Sequence, residues 1–199
     1  MITHDHKLIF IHIPKCAGRS ISDAFNQRFD HFTARHYATE YPDCFHVYTK
    51  FTVVRNPYDR LVSLFHYIKE HRRHSTESIY CAPDFKTWLI RNMVAYNREA
   101  RKDSPELERG TDGQVGSPFQ FASQQSFLGT WEKQFLVFFF EDMNAVATFL
   151  EEKGNAKLGH LNSSKHTFWP AYYDLELCEI CRYFTPIVTD CKAFNYKLL

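Results

Sequence analysis

Lys7-Leu-Ile-Phe-Ile-His-Ile-Pro-Lys-Cys-Ala-Gly-Arg-Ser-Ile21 begins as an almost continuous apolar run, rich in β-branched residues, and ends among charges and small side chains. An unbroken apolar run belongs to a strand covered on both faces, as in a parallel sheet; a half-exposed strand would alternate. Pro14 stops this strand, a short turn holds Gly18, and a helix is expected over 20–28. The same design recurs. Lys50-Phe-Thr-Val-Val54 runs into Arg55-Asn56-Pro57, where Asn56 can cap a helix and Pro57 can take its first position. Leu61, Leu64, Phe65 and Ile68 follow at helical spacing, so this helix is expected to reach His71. Phe135-Leu-Val-Phe-Phe-Phe140 is the third strand, followed by Glu141, Asp142 and a helix over 145–152. Strands that each feed a helix predict an α/β fold with helices on both faces of the sheet. Right-handed crossovers would then bring 14–20 and 55–57 to one sheet edge, where ligands of such folds bind.

Bulk composition narrows the classes. A chain of 199 residues fits one domain, and 44% hydrophobic residues with 19 Phe and 11 Tyr imply a core built largely of rings. A net charge of +1 carries no global footprint for nucleic acid, so any anion site must be local. The apolar run over 8–13 contains His12 and is too short for a signal-peptide core or a membrane span, which reads as cytoplasmic. Of the six cysteines, Cys178-x-x-Cys181 has no second CxxC and lies in an amphipathic stretch with Leu177, Ile180 and Phe184. These two are read as core thiols. The polar stretch 98–118 is read as a solvated connection rather than a lid.

Two segments carry chemistry. In Ile13-Pro-Lys-Cys-Ala-Gly-Arg-Ser-Ile21, a strand passes through a tight turn into a helix, aiming backbone N–H groups and a partial positive charge at one point. Lys15 and Arg19 add full charges and Ser20 a hydroxyl. That describes a phosphate or sulfate cradle, although a plain strand-to-helix turn with exposed charges fits equally well. It is not a Walker A loop, whose glycine and lysine spacing is missing. In the second segment Arg55 ends a strand and Ser63 lies farther along the next helix; a guanidinium fork with a hydroxyl suits a phosphate monoester. Asp59 and Arg60 are expected to make local ion pairs or cap contacts. Lys69, His71, Arg72 and Arg73 are read as a solvated helix end, with a patch that steers an acidic glycan as the alternative.

Taken together, Ile9-Phe-Ile-His-Ile-Pro-Lys-Cys-Ala-Gly-Arg-Ser-Ile21 and Phe51-Thr-Val-Val-Arg-Asn-Pro-Tyr-Asp-Arg-Leu-Val-Ser63 resemble the two cofactor loops of the sulfotransferase family. The nearest likeness is to carbohydrate sulfotransferases, including heparan sulfate 2-O- and chondroitin-type enzymes and small bacterial relatives. His160-Leu-Asn-Ser-Ser-Lys-His166, Tyr172-Tyr-Asp174 and the ending from Asp190 through Phe194-Asn-Tyr196 are also similar to the bacterial members. The resemblance implies a P-loop-like, three-layer α/β/α fold with a central parallel sheet, and a single sulfotransferase domain over 1–199. It implies a donor, 3′-phosphoadenosine 5′-phosphosulfate (PAPS), and transfer of its sulfuryl group to an acceptor hydroxyl, with carbohydrate the expected acceptor class. Lys15 would stabilise the leaving oxygen, and residues Cys16, Ala17, Gly18, Arg19 and Ser20 would line the 5′-phosphosulfate site. Arg55 and Ser63 would hold the 3′-phosphate, and Ser164 and Lys165 would lie on a late loop closing over the donor. The first loop departs from the usual pattern: Cys16 and Arg19 stand where relatives carry Thr.

Attack by a hydroxyl calls for a base. His31-Phe-Thr-Ala-Arg35 resembles a His-x-Thr-Ala stretch of the bacterial members, so His31 is the expected base, with His36 second and His46 third. His12 is read as packed within its strand, and Glu141 either matches a family glutamate or serves as a helix N-terminal charge. No divalent metal is expected, because a sulfuryl group carries less charge than a phosphoryl group. Two alternatives stay open: a kinase-like phosphoryl transferase that uses ATP and Mg²⁺, and a non-catalytic nucleotide- or glycan-binding module.

Overall fold

The computed structural model describes residues 1–28, 30–71, 82–100, 118–159 and 167–199. Among these, the strands are β1 (Ile2–Thr3), β2 (Leu8–Ile11), β3 (Thr49–Val54) and β4 (Phe135–Phe139). The helices are α1 (Gly18–Ala24), α2 (Ala34–Glu40), α3 (Pro42–Val47), α4 (Pro57–His71), α5 (Phe85–Ala100), α6 (Gln124–Leu128), α7 (Met143–Gly154), α8 (Leu175–Cys181) and α9 (Thr185–Ala193). The chain forms two compact units, Met1–Arg55 with Gln124–Ser163, and Asn56–Ser123 with Ser164–Leu199.

The first unit holds the sheet, in spatial order β1-β2-β3-β4. β2, β3 and β4 run parallel, with Phe10 opposite Phe51 and Phe51 opposite Leu136. The fold is therefore α/β, built on a mostly parallel sheet. Its core joins Leu8, Phe10, Phe51 and Val53 to Ile21 of α1 and to Val146, Phe149 and Leu150 of α7. Phe51 is central: its ring lies 4.9 Å from Phe10 and 5.0 Å from Phe149. Burial of each such side chain contributes about 1.5–3 kcal/mol.

Several expectations change here. The polar N-terminal stretch contributes β1, whose Ile2 and Thr3 pair antiparallel with Ile9 and Leu8. Two residues are too few to show a periodicity. β2 stops at Ile11, so His12 and Ile13 continue buried but outside the ladder. α1 starts at Gly18 rather than 20 and ends at Ala24. β4 is not covered on both faces: Leu136 is 48% and Phe139 40% exposed, because β4 is the outer strand among the described residues. The short helices α2, α3 and α6 left no legible period in the sequence.

The second unit is helical among its described residues. Asn56 Oδ1 accepts from the Tyr58 and Asp59 amides at 3.0 and 3.4 Å and so starts α4, as the Asn-Pro pair requires. Tyr58, Leu61, Leu64 and Phe65 of α4 share a core with Trp88 and Leu89 of α5, Leu177 and Cys181 of α8, and Ile187 of α9. Cys181 is fully buried, Cys178 is half-buried, and both are free thiols. Arg60 makes contacts far along the chain that the sequence did not announce. Its guanidinium donates to the Ala122 and Gln120 carbonyls at 2.9 and 2.8 Å and lies 3.9 Å from the Asp190 carboxylate. Both side chains are buried, at 3% and 1% exposure, so Arg60 is a core ion pair rather than a surface one. Arg72, Arg73 and most of the 98–118 stretch lie outside the described residues.

Candidate functional site

Past β2 the backbone makes two excursions that L-residues resist. Lys15 has φ 68° and Ala17 φ 60°, both left-handed, at a cost of about 1–2 kcal/mol each. The Cys16 amide donates back to the Ile13 carbonyl at 3.3 Å, closing the turn. α1 then begins, its first ladder bond running from the Ile21 amide to the Ala17 carbonyl at 3.2 Å. Ala17 is the N-cap and offers no side-chain acceptor. The amides of Gly18, Arg19 and Ser20 precede that ladder, where a helix supplies no acceptor of its own. Gly18 is required by contact: a Cβ there would meet His12 Cδ2 at 1.7 Å and Nε2 at 1.8 Å.

The second turn meets the first. Arg55, 6% exposed, sits one residue beyond the last β3–β4 pair, Val54 with Phe139. Its guanidinium lies 4.0 Å from the Phe140 ring centroid, and Nη1 donates to the Lys15 carbonyl at 3.2 Å. Gln124, at the start of α6, is fully buried beside both turns. Its Oε1 accepts from the Arg55 amide at 2.8 Å and from the Cys16 thiol at 3.2 Å, while Nε2 donates to the Arg55 carbonyl at 2.8 Å. Sequence reasoning missed Gln124, and nothing local to it could have flagged it. The side chain of Cys16 thus points into the protein, where its S–H serves Gln124.

The histidines separate by surroundings. His12 is 4% exposed, and its ring lies 4.4 Å from that of His31. Burial holds its pKa well below the usual 6.5, with repulsion from His31, the Met1 amino group and Lys15 adding to it. His12 is therefore neutral at pH 7. Half-buried His31 is brought beside the ring that covers Gly18, which places it in the neighbourhood of the first turn. His36 instead stacks on Phe32 at 3.9 Å and lines a cavity of about 250 Å³ with Asp30, Tyr37 and Tyr41. His46 is exposed in the last turn of α3, and Glu141 is exposed just after β4.

Of the remaining expected site residues, Ser20 is buried, Arg19 exposed and Lys15 half-buried. Ser63 is buried on α4, in the helical unit. Ser164 and Lys165 lie outside the described residues. Among the described residues, no group of three or more His, Cys, Asp or Glu is placed to hold a metal ion, and no helix is long and apolar enough to cross a membrane.

Comparison with known proteins bears on these turns directly. The model of the sulfotransferase family matches residues 1–116, more than half of the chain's 199 and a span that includes both. No curated protein and no solved structure matches the chain.

Proposed function

The chain belongs to the sulfotransferase family, and from that premise we propose that it moves a sulfuryl group from PAPS to a hydroxyl on a carbohydrate. One observation carries the donor assignment: the 3.2 Å hydrogen bond from Arg55 to the Lys15 carbonyl, which ties two cationic turns together at the ends of adjacent parallel strands. A donor with one anionic group at its 5′ end and another at its 3′ position suits a pair of cationic turns better than a single one.

In this reading Lys15 and the first-turn amides of α1 bind the 5′-phosphosulfate, with Ser20 supplying a hydroxyl and Arg19 a second charge. Arg55 binds the 3′-phosphate. The same role for Ser63, and closure of the donor site by Ser164 and Lys165, rest on resemblance alone. The acceptor oxygen attacks sulfur in line, and the bond from sulfur to the bridging oxygen breaks. Its electron pair goes to the 5′-phosphate, so 3′-phosphoadenosine 5′-phosphate (PAP) leaves. Negative charge grows on that oxygen during the step, and a cation fixed beside it lowers the barrier. His31 takes the acceptor proton; neutral His12 beside it adds no second positive charge to oppose that protonation.

Incubation with sulfur-35-labelled PAPS and a panel of glycans, lipids and phenols tests the proposal. Label in a glycan product, lost in Lys15→Ala, is the expected result. PAP binding without transfer to any acceptor would instead make the chain a binding module. No sulfur-35 transfer, but transfer of phosphorus-32 from γ-labelled ATP in the presence of Mg²⁺, would make it a phosphoryl transferase.

A further inference from the structure

We infer that Gln124 is a positioning residue for sulfuryl transfer, whose carboxamide locks the Arg55 turn onto the Lys15 turn before the donor arrives; this rests on reading those turns as the donor site. The geometry is a closed circuit. The Arg55 guanidinium reaches the Lys15 carbonyl, the Arg55 peptide groups reach Gln124, and Gln124 reaches the thiol of Cys16, which is bonded to Lys15. Breaking one link loosens the others, because each atom in the circuit is held from two sides.

The place of the contact explains its form. The β3–β4 ladder ends at Val54 with Phe139, so the Arg55 N–H and C=O lie past the last paired residue. Gln124 meets both groups at 2.8 Å, as a neighbouring strand would. Left buried and unmet, each would cost about 1–3 kcal/mol. A carboxamide carries an acceptor and a donor side by side whatever the pH, as an ionised carboxylate does not. A glutamate would set a carboxylate oxygen against the Arg55 carbonyl, and a leucine would meet neither group. Fixing Arg55 matters to a donor site because the entropy of ordering its long side chain is then spent on folding rather than on binding.

Cys16 fits the same account. Its thiol is fully buried and donates to Gln124 at 3.2 Å, so the side chain acts on the circuit and not toward a ligand.

Calorimetric titration of PAP into the full-length protein, in chelator, tests the inference. Gln124→Leu and Gln124→Glu are each expected to bind PAP about tenfold or more weakly, with the folded state retained by circular dichroism. In an Arg55→Ala background, Gln124→Leu should change PAP affinity by less than about twofold, because the pair acts as one unit. Folded Gln124→Leu that binds PAP like the wild type overturns the inference. So do two substitutions whose effects simply multiply, which is what a general structural role would give. Should the Gln124 variants fail to fold, Cys16→Ala decides: binding weakened about threefold or more and restored by Cys16→Ser supports the circuit, and unchanged binding overturns it. Wild-type protein that fails to bind PAP would sink the donor reading itself, a result distinct from wild-type-like binding by a Gln124 variant.

Discussion

Arg55 and Arg60 stand close together in the sequence and are almost equally buried, at 6% and 3% exposure, yet they serve different ends. Arg60, in the helical unit, spends its guanidinium on the Ala122 and Gln120 carbonyls and on Asp190. Of those partners, Ala122 and Asp190 are buried and Gln120 is half-buried. Arg55, in the sheet unit, lies over the Phe140 ring and reaches the carbonyl of a strained, lysine-bearing turn. Burial alone therefore does not tell a structural arginine from the one proposed to bind the donor. Arg60 lies beside a carboxylate held in the core, and Arg55 beside the lysine-bearing turn proposed to hold the donor.

The sharpest way to break this contrast is to remove Arg60. Removing the guanidinium beside the buried Asp190 carboxylate in Arg60→Met should cost about 3–5 kcal/mol, read from urea unfolding. A loss near zero would show that the pair is not structural. Lys15→Ala tests the other side. Its stability should hold, while kcat falls about 100- to 1000-fold if the ammonium stabilises the leaving oxygen; an unchanged kcat would move that role elsewhere.

Gly18→Ala comes next. The new methyl would overlap the His12 ring, so a loss of about 1–3 kcal/mol is expected, and shrinking the ring with His12→Ala in the same chain should recover part of it. No recovery would mean that the contact at 1.7 Å is not what excludes a side chain.

The smallest effect is a slope. The folded-state pKa of His12 lies below its unfolded value, so the unfolded chain takes up a proton that the folded one refuses. The stability this confers is complete above about pH 6.5 and declines as pH falls below it, by at most about 1.4 kcal/mol per pH unit. His12→Gln should flatten that part of the stability profile; an identical slope in both proteins would show that His12 titrates normally.

Within both units, what could be read in advance depended on how local the determining contact is. The turns that hold Lys15 and Arg55 were legible because each closes a local pattern: an apolar run, a stop, and a helix start within a few residues. Asn56 and Pro57 announced α4 for the same reason. Gln124 was not legible, since its meaning lies in the backbone of a residue 69 positions away. The contact between Arg60 and Asp190 was not legible either, because its two residues lie far apart in the chain. His12 was read correctly as packed, but its pressure on Gly18 is a three-dimensional fact with no periodicity behind it. β1 is too short to leave a pattern at all. Short-range rules find where a chain turns, and long-range contacts decide which turns are held together.

The most direct measurement of the central claim is the affinity of PAP for the wild type, Lys15→Ala and Arg55→Ala, titrated in the presence of chelator. Binding by the wild type, with each variant folded but weakened at least about tenfold, is the outcome expected of two turns gripping one nucleotide. A wild type that ignores PAP, or variants that bind it as tightly as their parent, would contradict it.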